Sequence, residues 1–318
     1  MDLRLALAGT SVRAASAVSP RWGASIALPL FAAVSKPRPV HRDDLPTMLR
    51  ARRRSIRIAG VDRLGVDVVV YEWGAGDRTV VLAHGWNGRA SQFATLVREL
   101  VAEGFRVVAF DAPAHGESSG RRTYLVDWID VLTQLQTRHG RFAAVVGHSF
   151  GGLGSLVSVA GGLEADRIVT VASPADAELL LSQFQTMLRY GDGVAHELTS
   201  RFARRYFPDD EDPFAWLSAV RRPLPAGTPL LVVHDERDGV VPFGEAVRLA
   251  AANPGALSLT TSGLGHSRIL AADAFLDAVI HFVTTAPALP RSAAGASPAA
   301  EDADDARKRV AEPATALA

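Results

Sequence analysis

The sequence predicts an α/β fold: a mostly parallel, eight-stranded sheet with helices on both faces. Three observations predict it. Short runs of Val, Ile, Leu and Ala recur without polar alternation, as strands buried on both faces require. Segments with apolar residues at helical spacing separate them. With 318 residues, 48% of them hydrophobic, the chain is long enough to bury a large core.

Residues 1–44 form an Ala- and Arg-rich leader that closes with Lys36-Pro37-Arg38-Pro39. Its apolar stretch, 23–34, ends in Ala33-Val34-Ser35, which resembles a small-residue cleavage site, so a secretory signal is one reading. Pro29 interrupts the stretch, and the basic residues Arg4, Arg13 and Arg21 are widely spread. These features favour a helix that packs on the protein surface or lies on a membrane face. No run of 18 apolar residues occurs, so no transmembrane helix is expected. The expected location is cytoplasmic, with secretion or membrane association through residues 1–35 as the alternatives.

Residues 45–285 hold the periodic segments. Strands are expected at 57–58 and 67–72, an antiparallel pair, and then at 79–83, 106–110, 143–146, 167–171, 228–234 and 257–261. Helices are expected at 91–102, 124–138, 150–160, 242–252 and 268–282. More than fifty residues between the sixth and seventh strands lack a strong strand. There Leu180, Phe184, Met187 and Leu188, then Val194, Leu198 and Phe202, follow helical spacing. A helical cap at about 174–226 is expected, with Asp209, Asp210, Glu211 and Asp212 in an exposed loop. Residues 286–318 are rich in Ala, Pro, Ser and acidic groups, and this tail is expected to be disordered.

Composition narrows the chemistry. The formal net charge is zero, so nothing points to nucleic acid as a partner. The absence of cysteine excludes disulfides, thiolate catalysis and cysteine-based metal sites. His84, His115 and His148 lack the helical His-x-x-x-His spacing of a zinc site, so neither metal nor cofactor is expected. These three histidines are read as structural, bonding loop backbone.

The chemistry centres on Gly147-His148-Ser149-Phe150-Gly151. A β-branched run precedes it and a helical run follows. That order of strand, tight turn and helix is what a nucleophile elbow needs. The turn holds the serine in a strained conformation with its hydroxyl projecting, and flanking glycines remove the Cβ atoms that would clash. Ser149 is therefore the expected nucleophile of a hydrolase or acyltransferase. A serine hydroxyl needs a general base, usually histidine, and a carboxylate that fixes the imidazole tautomer. His266, in Gly263-Leu264-Gly265-His266 past the last strand, is the expected base. The acid is expected after the strand Leu230-Leu231-Val232-Val233-His234. Asp238 is favoured, because Pro242 opens the next helix and leaves it in a defined loop. Asp235, at the strand end, is the alternative. Whichever of Asp235, Glu236 and Asp238 does not face His266 is expected to be solvated or to cap backbone N–H groups.

With the chain order Ser149, Asp238, His266, residues 56–285 resemble the α/β-hydrolase superfamily. Val80-Val81-Leu82-Ala83-His84-Gly85-Trp86 resembles its strand and oxyanion loop. Asp111-Ala112-Pro113-Ala114-His115-Gly116-Glu117-Ser118 resembles its next strand-end motif, and the elbow, His234-Asp235-x-x-Asp238 and Gly265-His266 follow in order. The resemblance implies an oxyanion hole from the backbone N–H groups of Trp86 and Phe150. His-Gly-Trp-Asn replaces the His-Gly-Gly-Gly of hormone-sensitive-lipase-like members, which argues against bulky tertiary-alcohol esters. Serine at the elbow argues against dehalogenase and epoxide hydrolase relatives, which place aspartate there.

The leading expectation is a carboxylic-ester hydrolase acting through an acyl-enzyme on a small ester with an apolar acyl group. Amidase, thioesterase or C–C hydrolase activity uses the same parts. An acyltransferase and a non-catalytic ligand receptor are the readings from other classes. Phe184, Phe202, Tyr206, Phe207, Phe214 and Trp216 are read mostly as the cap's own core, and Arg201, Arg204 and Arg205 as a solvated helix face.

Overall fold

The computed structural model describes residues 3–37, 39–61, 63–207 and 212–285. The tail 286–318 and the acidic residues Asp209, Asp210 and Glu211 lie outside the described residues. The strands are β1 (Arg52–Ile58), β2 (Val66–Trp73), β3 (Thr79–Ala83), β4 (Arg106–Asp111), β5 (Ala144–His148), β6 (Ile168–Val171), β7 (Leu230–Asp235) and β8 (Leu257–Thr261). The helices are α1 (Leu3–Val18), α2 (Pro20–Phe31), α3 (Leu45–Leu49), α4 (Ala94–Ala102), α5 (Leu125–His139), α6 (Phe150–Ala160), α7 (Ala177–Leu188), α8 (Asp192–Tyr206), α9 (Pro213–Trp216), α10 (Gly244–Ala252), α11 (Gly265–Arg268) and α12 (Asp273–Thr285). Among the described residues the chain divides into two compact units, one from residues 34–175 and 218–285, the other from residues up to 33 with Asp176–Leu217.

The first unit holds one eight-stranded sheet in the order β1-β2-β4-β3-β5-β6-β7-β8. β1 and β2, and β2 and β4, pair antiparallel, and every later pair is parallel. This is the α/β-hydrolase arrangement of a mostly parallel sheet. Side chains alternate between faces along each strand. Val80, Leu82, Val107, Ala109, Ala144 and Val146 share one buried cluster with Phe93, Leu96 and Leu100 near α4 and with Phe275, Val279 and Phe282 of α12. The intervening residues Val81, Val108 and Val145 are equally buried and face the side where α5 and α6 pack together. Burial on both faces is why β3 to β7 read as uninterrupted apolar runs.

The register sets up the site. Ala83 of β3 pairs with Gly147 of β5, His148 with Val171 of β6, Val171 with Val233 of β7, and Asp235 with Thr261 of β8. The carboxyl ends of these parallel strands therefore lie in one row, and the loops that leave them share one edge of the sheet.

β1 begins at Arg52, five residues before the expected strand, because its run Arg52-Arg53-Arg54-Ser55 is charged and lies at the sheet edge. Its first four residues are exposed. Arg54 Nε lies 3.0 Å from Glu72 Oε1, and Arg53 pairs with Glu117. Charged edge strands resist pairing with other chains.

In the second unit, the helices α7, α8 and α9 lie between β6 and β7 in the chain, in the segment expected as a cap. They share a core with the leader rather than standing apart from it. Val12, Ala24 and Ala27 are fully buried. The Phe31 ring meets Phe184 edge-on at 5.2 Å and Phe202 at 5.9 Å. Phe202 also contacts Tyr206 and Phe214. Gly23 sits against Val194, where a Cβ would lie 2.9 Å from the valine side chain. Arg13 donates to the Leu188 carbonyl at 2.7 Å, satisfying an acceptor at the end of α7. Asp176 caps α7 through Leu179 N–H, and Asp212 caps α9. The segment read as a separate leader, 1–44, thus contributes residues up to 33 to the helical unit. Its small residues Gly9, Gly23, Ala24 and Ala27 let the helices approach closely.

Candidate active site

Ser149 stands between β5 and α6 with φ 54° and ψ −122°, a conformation that L-residues rarely hold. Its backbone N–H donates to Val171 O at 2.8 Å, which ties the turn to β6. The glycines make the turn possible. A Cβ on Gly147 would lie 2.6 Å from Gly152 Cα, and one on Gly151 would strike the carbonyl oxygens of Ala83 and His84. The hydroxyl stands at the N-terminal end of α6, where the helix dipole favours negative charge.

The loop after β3 lies against the serine: a Cβ on Gly85 would sit 2.7 Å from Ser149 Cβ. Two buried histidines and one aspartate hold this loop. His84 Nδ1–H donates to Gly85 O at 2.7 Å, and His84 Nε2 accepts from Ala112 N–H at 2.9 Å. His115 Nδ1–H donates to Pro113 O at 2.9 Å, and its Nε2 accepts from Asn87 N–H at 3.0 Å. Each ring uses one nitrogen as donor and one as acceptor, so each is neutral. Burial is the main cause holding them so, pushing His84 down to about 4 and His115 to about 3. Asp111 accepts from Ala90 N–H at 2.8 Å, Glu117 N–H at 2.8 Å and Tyr71 O–H at 3.0 Å. Among the described residues, the backbone N–H groups of Trp86 and Phe150 have no protein acceptor, and the two rings lie 5.1 Å apart.

Past β7 and β8 the acidic residues separate. His266 Nδ1–H donates to Asp238 Oδ2 at 2.8 Å, and the Asp238 side chain is fully buried. Asp238 Oδ1 accepts from Val240 and Val241 N–H at 2.7 and 3.0 Å. Burial opposes its ionisation, but the bonds from His266, Val240 and Val241 outweigh it and hold the carboxyl below the usual range. Asp235 faces elsewhere. It accepts from Arg237 N–H at 2.9 Å, Thr261 O–H at 2.8 Å, Gly263 N–H at 3.1 Å and Leu264 N–H at 2.9 Å. Burial again opposes ionisation and these donors overcome it, so Asp235 is held well below the carboxylate range.

Similarity to known proteins gives the family. A model described as the alpha/beta hydrolase family matches residues 80–278, more than half of the chain. The chain belongs to the alpha/beta hydrolase family. It is 33% identical over 96 residues to the non-heme chloroperoxidase CPO-A1 of Kitasatospora aureofaciens, covering 28% of this chain and 34% of that protein. It is 32% identical over 116 residues to a monoacylglycerol lipase of Mycolicibacterium smegmatis, covering 33% and 41%. The chain thus spans well under half of these relatives. A solved esterase of Pyrococcus furiosus superposes with a TM-score of 0.54 at 20% identity, covering 79% of this chain and 97% of that one, a likeness of fold.

Within this alpha/beta hydrolase, His148 bonds loop backbone, the role the sequence reading gives it, through a partner that reading does not name, and His234 is a contributor the reading leaves without a role. His148, inside the elbow, donates Nε2–H to the backbone carbonyl of His266 at 2.9 Å, with the rings 4.7 Å apart. The elbow thereby holds the His266 loop directly. Chiefly through burial and then through His266 nearby, the His148 pKa is pushed down to about 4. His234 lies under Asp238, its Nε2 donating to Val241 O at 3.0 Å. Burial of a histidine between two loops is the signal for such roles, and the bare sequence does not carry it.

Proposed function

We propose that the chain is a serine hydrolase that cleaves carboxylic esters through an acyl-enzyme, with Ser149, His266 and Asp238 as its triad. The observation that carries this reading is the backbone of Ser149. Positive φ recurs at Ala114 and Ala172, but at Ser149 it falls between a strand and a helix, flanked by glycines that admit no side chain, the setting a nucleophile elbow needs.

In this mechanism His266 removes the Ser149 proton through Nε2 as the hydroxyl oxygen attacks the ester carbonyl carbon. Asp238 holds Nδ1–H, fixes the tautomer and stabilises the imidazolium. The N–H groups of Trp86 and Phe150 stabilise the oxyanion of the tetrahedral intermediate, a term of about 3–4 kcal/mol per donor in comparable sites. Collapse expels the alcohol, which takes its proton from His266. Water, deprotonated by His266, then attacks the acyl carbon and frees Ser149. The rings of Trp86 and Phe150, 5.1 Å apart next to the elbow, support an apolar acyl moiety. Among the relatives, the name of the monoacylglycerol lipase points the same way.

The test is labelling of the purified protein with a fluorophosphonate, read by peptide mass spectrometry, beside turnover of p-nitrophenyl acetate and octanoate. The expected result is an adduct on Ser149 and a burst of nitrophenol. No adduct and no turnover would overturn the proposal and favour ligand binding without chemistry.

A further inference from the structure

The hairpin of α1 and α2 has two unlike faces. One is spent inside the helical unit: Val12, Gly23, Ala24 and Ala27 are buried. The other carries Trp22 and Ile26, one turn apart on α2 and 62% and 37% exposed, and Val18, which ends α1 before the extended Ser19 cap, is 71% exposed. Leu7 is also 59% exposed. A tryptophan and an isoleucine held in water by a well-formed helix, with buried partners on its opposite side, mark an interaction face.

Three features identify its occupant. The sequence from 3 to 33 holds Arg4, Arg13 and Arg21 and no aspartate or glutamate, in a chain of zero net charge. The Arg21 side chain, beside Trp22, is 76% exposed; its Nε lies 3.5 Å from Glu197 Oε1, a loose surface pair that leaves most of the guanidinium in water. The hydroxyls of Thr10, Ser11 and Ser25 all donate back to carbonyls of their own helix, at 2.9, 3.0 and 2.8 Å, so these exposed side chains present satisfied donors. An apolar stripe with an interfacial tryptophan, flanking arginine and internally satisfied hydroxyls fits the headgroup boundary of an anionic bilayer. No helix among the described residues is long and apolar enough to cross a membrane, so the stripe lies along the surface.

We propose that the exposed face of the α1–α2 hairpin docks on an anionic lipid surface, with Trp22 and Ile26 entering the headgroup boundary and Arg21 meeting lipid phosphates. This proposal is independent of the triad.

The test uses the full chain and vesicles of phosphatidylcholine alone or with phosphatidylglycerol. Co-sedimentation is expected to be at least tenfold stronger with phosphatidylglycerol and to weaken with salt. Brominated lipids are expected to quench tryptophan emission of the unmodified chain. Trp22→Gln with Ile26→Gln is expected to abolish both signals with an unchanged circular dichroism spectrum. Arg21→Gln, which leaves the apolar stripe intact, is expected to reduce binding to anionic vesicles alone. Absence of binding to either vesicle overturns the proposal, as does full binding by the double variant. A dimer in light scattering that the double variant dissolves, without vesicle binding, assigns the face to a second copy and also overturns it.

Discussion

Asp238 and His266 meet at 2.8 Å through Oδ2 and Nδ1, across a gap of 28 residues. Asp235, only three residues earlier, accepts from Thr261, Gly263 and Leu264 on the segment leading to His266 and from Arg237 in its own loop, and makes no bond to the imidazole. One acidic cluster thus divides into an acid that orients the ring and an acid that builds the ring's support. On this division, Asp238→Asn leaves the backbone bonds available but presents the wrong partner to Nδ1. Its kcat on p-nitrophenyl acetate is expected to fall about 10³- to 10⁴-fold, with a nearly unchanged melting temperature. An Asp238→Asn enzyme within tenfold of the parent would remove Asp238 from the triad.

Asp235→Ala should behave differently. It strands the N–H groups of Arg237, Gly263 and Leu264, so the loop before His266 loosens. We expect a clear drop in melting temperature and an activity loss of about 10- to 100-fold, set by misplacement rather than by lost chemistry. Because folding lowers the Asp235 pKa, its stabilisation is full above the unfolded value near 4 and fades as pH falls below it. The parent should therefore lose a component of acid stability that Asp235→Ala no longer shows. Urea titrations at pH 5 and pH 3 on both proteins measure this.

His84, His115 and His148 are held neutral, with values near 4, 3 and 4. The unfolded chain protonates them near 6.5. Their folded pKa values are depressed, so their stabilisation is complete above pH 6.5 and drains as pH falls toward 4. At pH 5 each is expected to cost on the order of 2 kcal/mol relative to pH 8. Asp235 and Asp238 titrate below this window, so the histidines dominate it. Denaturant midpoints that stay level from pH 7.5 to pH 5 would show that these rings are not locked as described.

Gly85 tests the approach of the oxyanion loop to the nucleophile. Alanine there places a methyl group 2.7 Å from Ser149 Cβ and 3.1 Å from His148 O. Either the loop or the elbow must move, and the N–H of Trp86 moves with the loop. Gly85→Ala is expected to slow fluorophosphonate labelling of Ser149 about 100-fold or more, the scale of a lost oxyanion donor. Labelling at the parent rate would mean that this loop is not part of the reacting geometry.

Much of this was legible in the sequence where one local signal dominated. β3, β8 and α6 match the expected 79–83, 257–261 and 150–160 because apolar runs there are bounded by clear breaks. The motif residues Ser149, Asp238 and His266 could be named because strand ends punctuate the chain. β1 begins earlier than its apolar end suggests, because its first four residues, Arg52 to Ser55, are exposed and charged or polar, and only Ile58 is buried. The particular partners of His148 and Asp235 lie in loops brought together over 118 and up to 29 residues, and no local pattern names them. The leader's destination was hidden for the same reason: its buried face is completed by α7 and α8, some 170 residues away.

That long-range contact yields the last prediction. Phe31 touches Phe184 and Phe202 edge-on, and both of those rings are buried. Phe31→Ala removes two aromatic contacts from a small helical core. The expected cost is about 1–3 kcal/mol, read as a lower melting temperature with added dye binding to exposed apolar surface. If residues 1–33 were instead a secretory signal, the chain recovered from its host would start near Ser35, and Phe31→Ala would leave its stability unchanged. Intact-mass measurement of the recovered protein distinguishes the two. We expect the leader to be retained, because its removal would expose Val194, Leu198 and Phe202, which are at most 2% accessible in the structure. A chain that starts near Ser35 and melts at the same temperature would show that the α1–α2 hairpin is not part of the helical core.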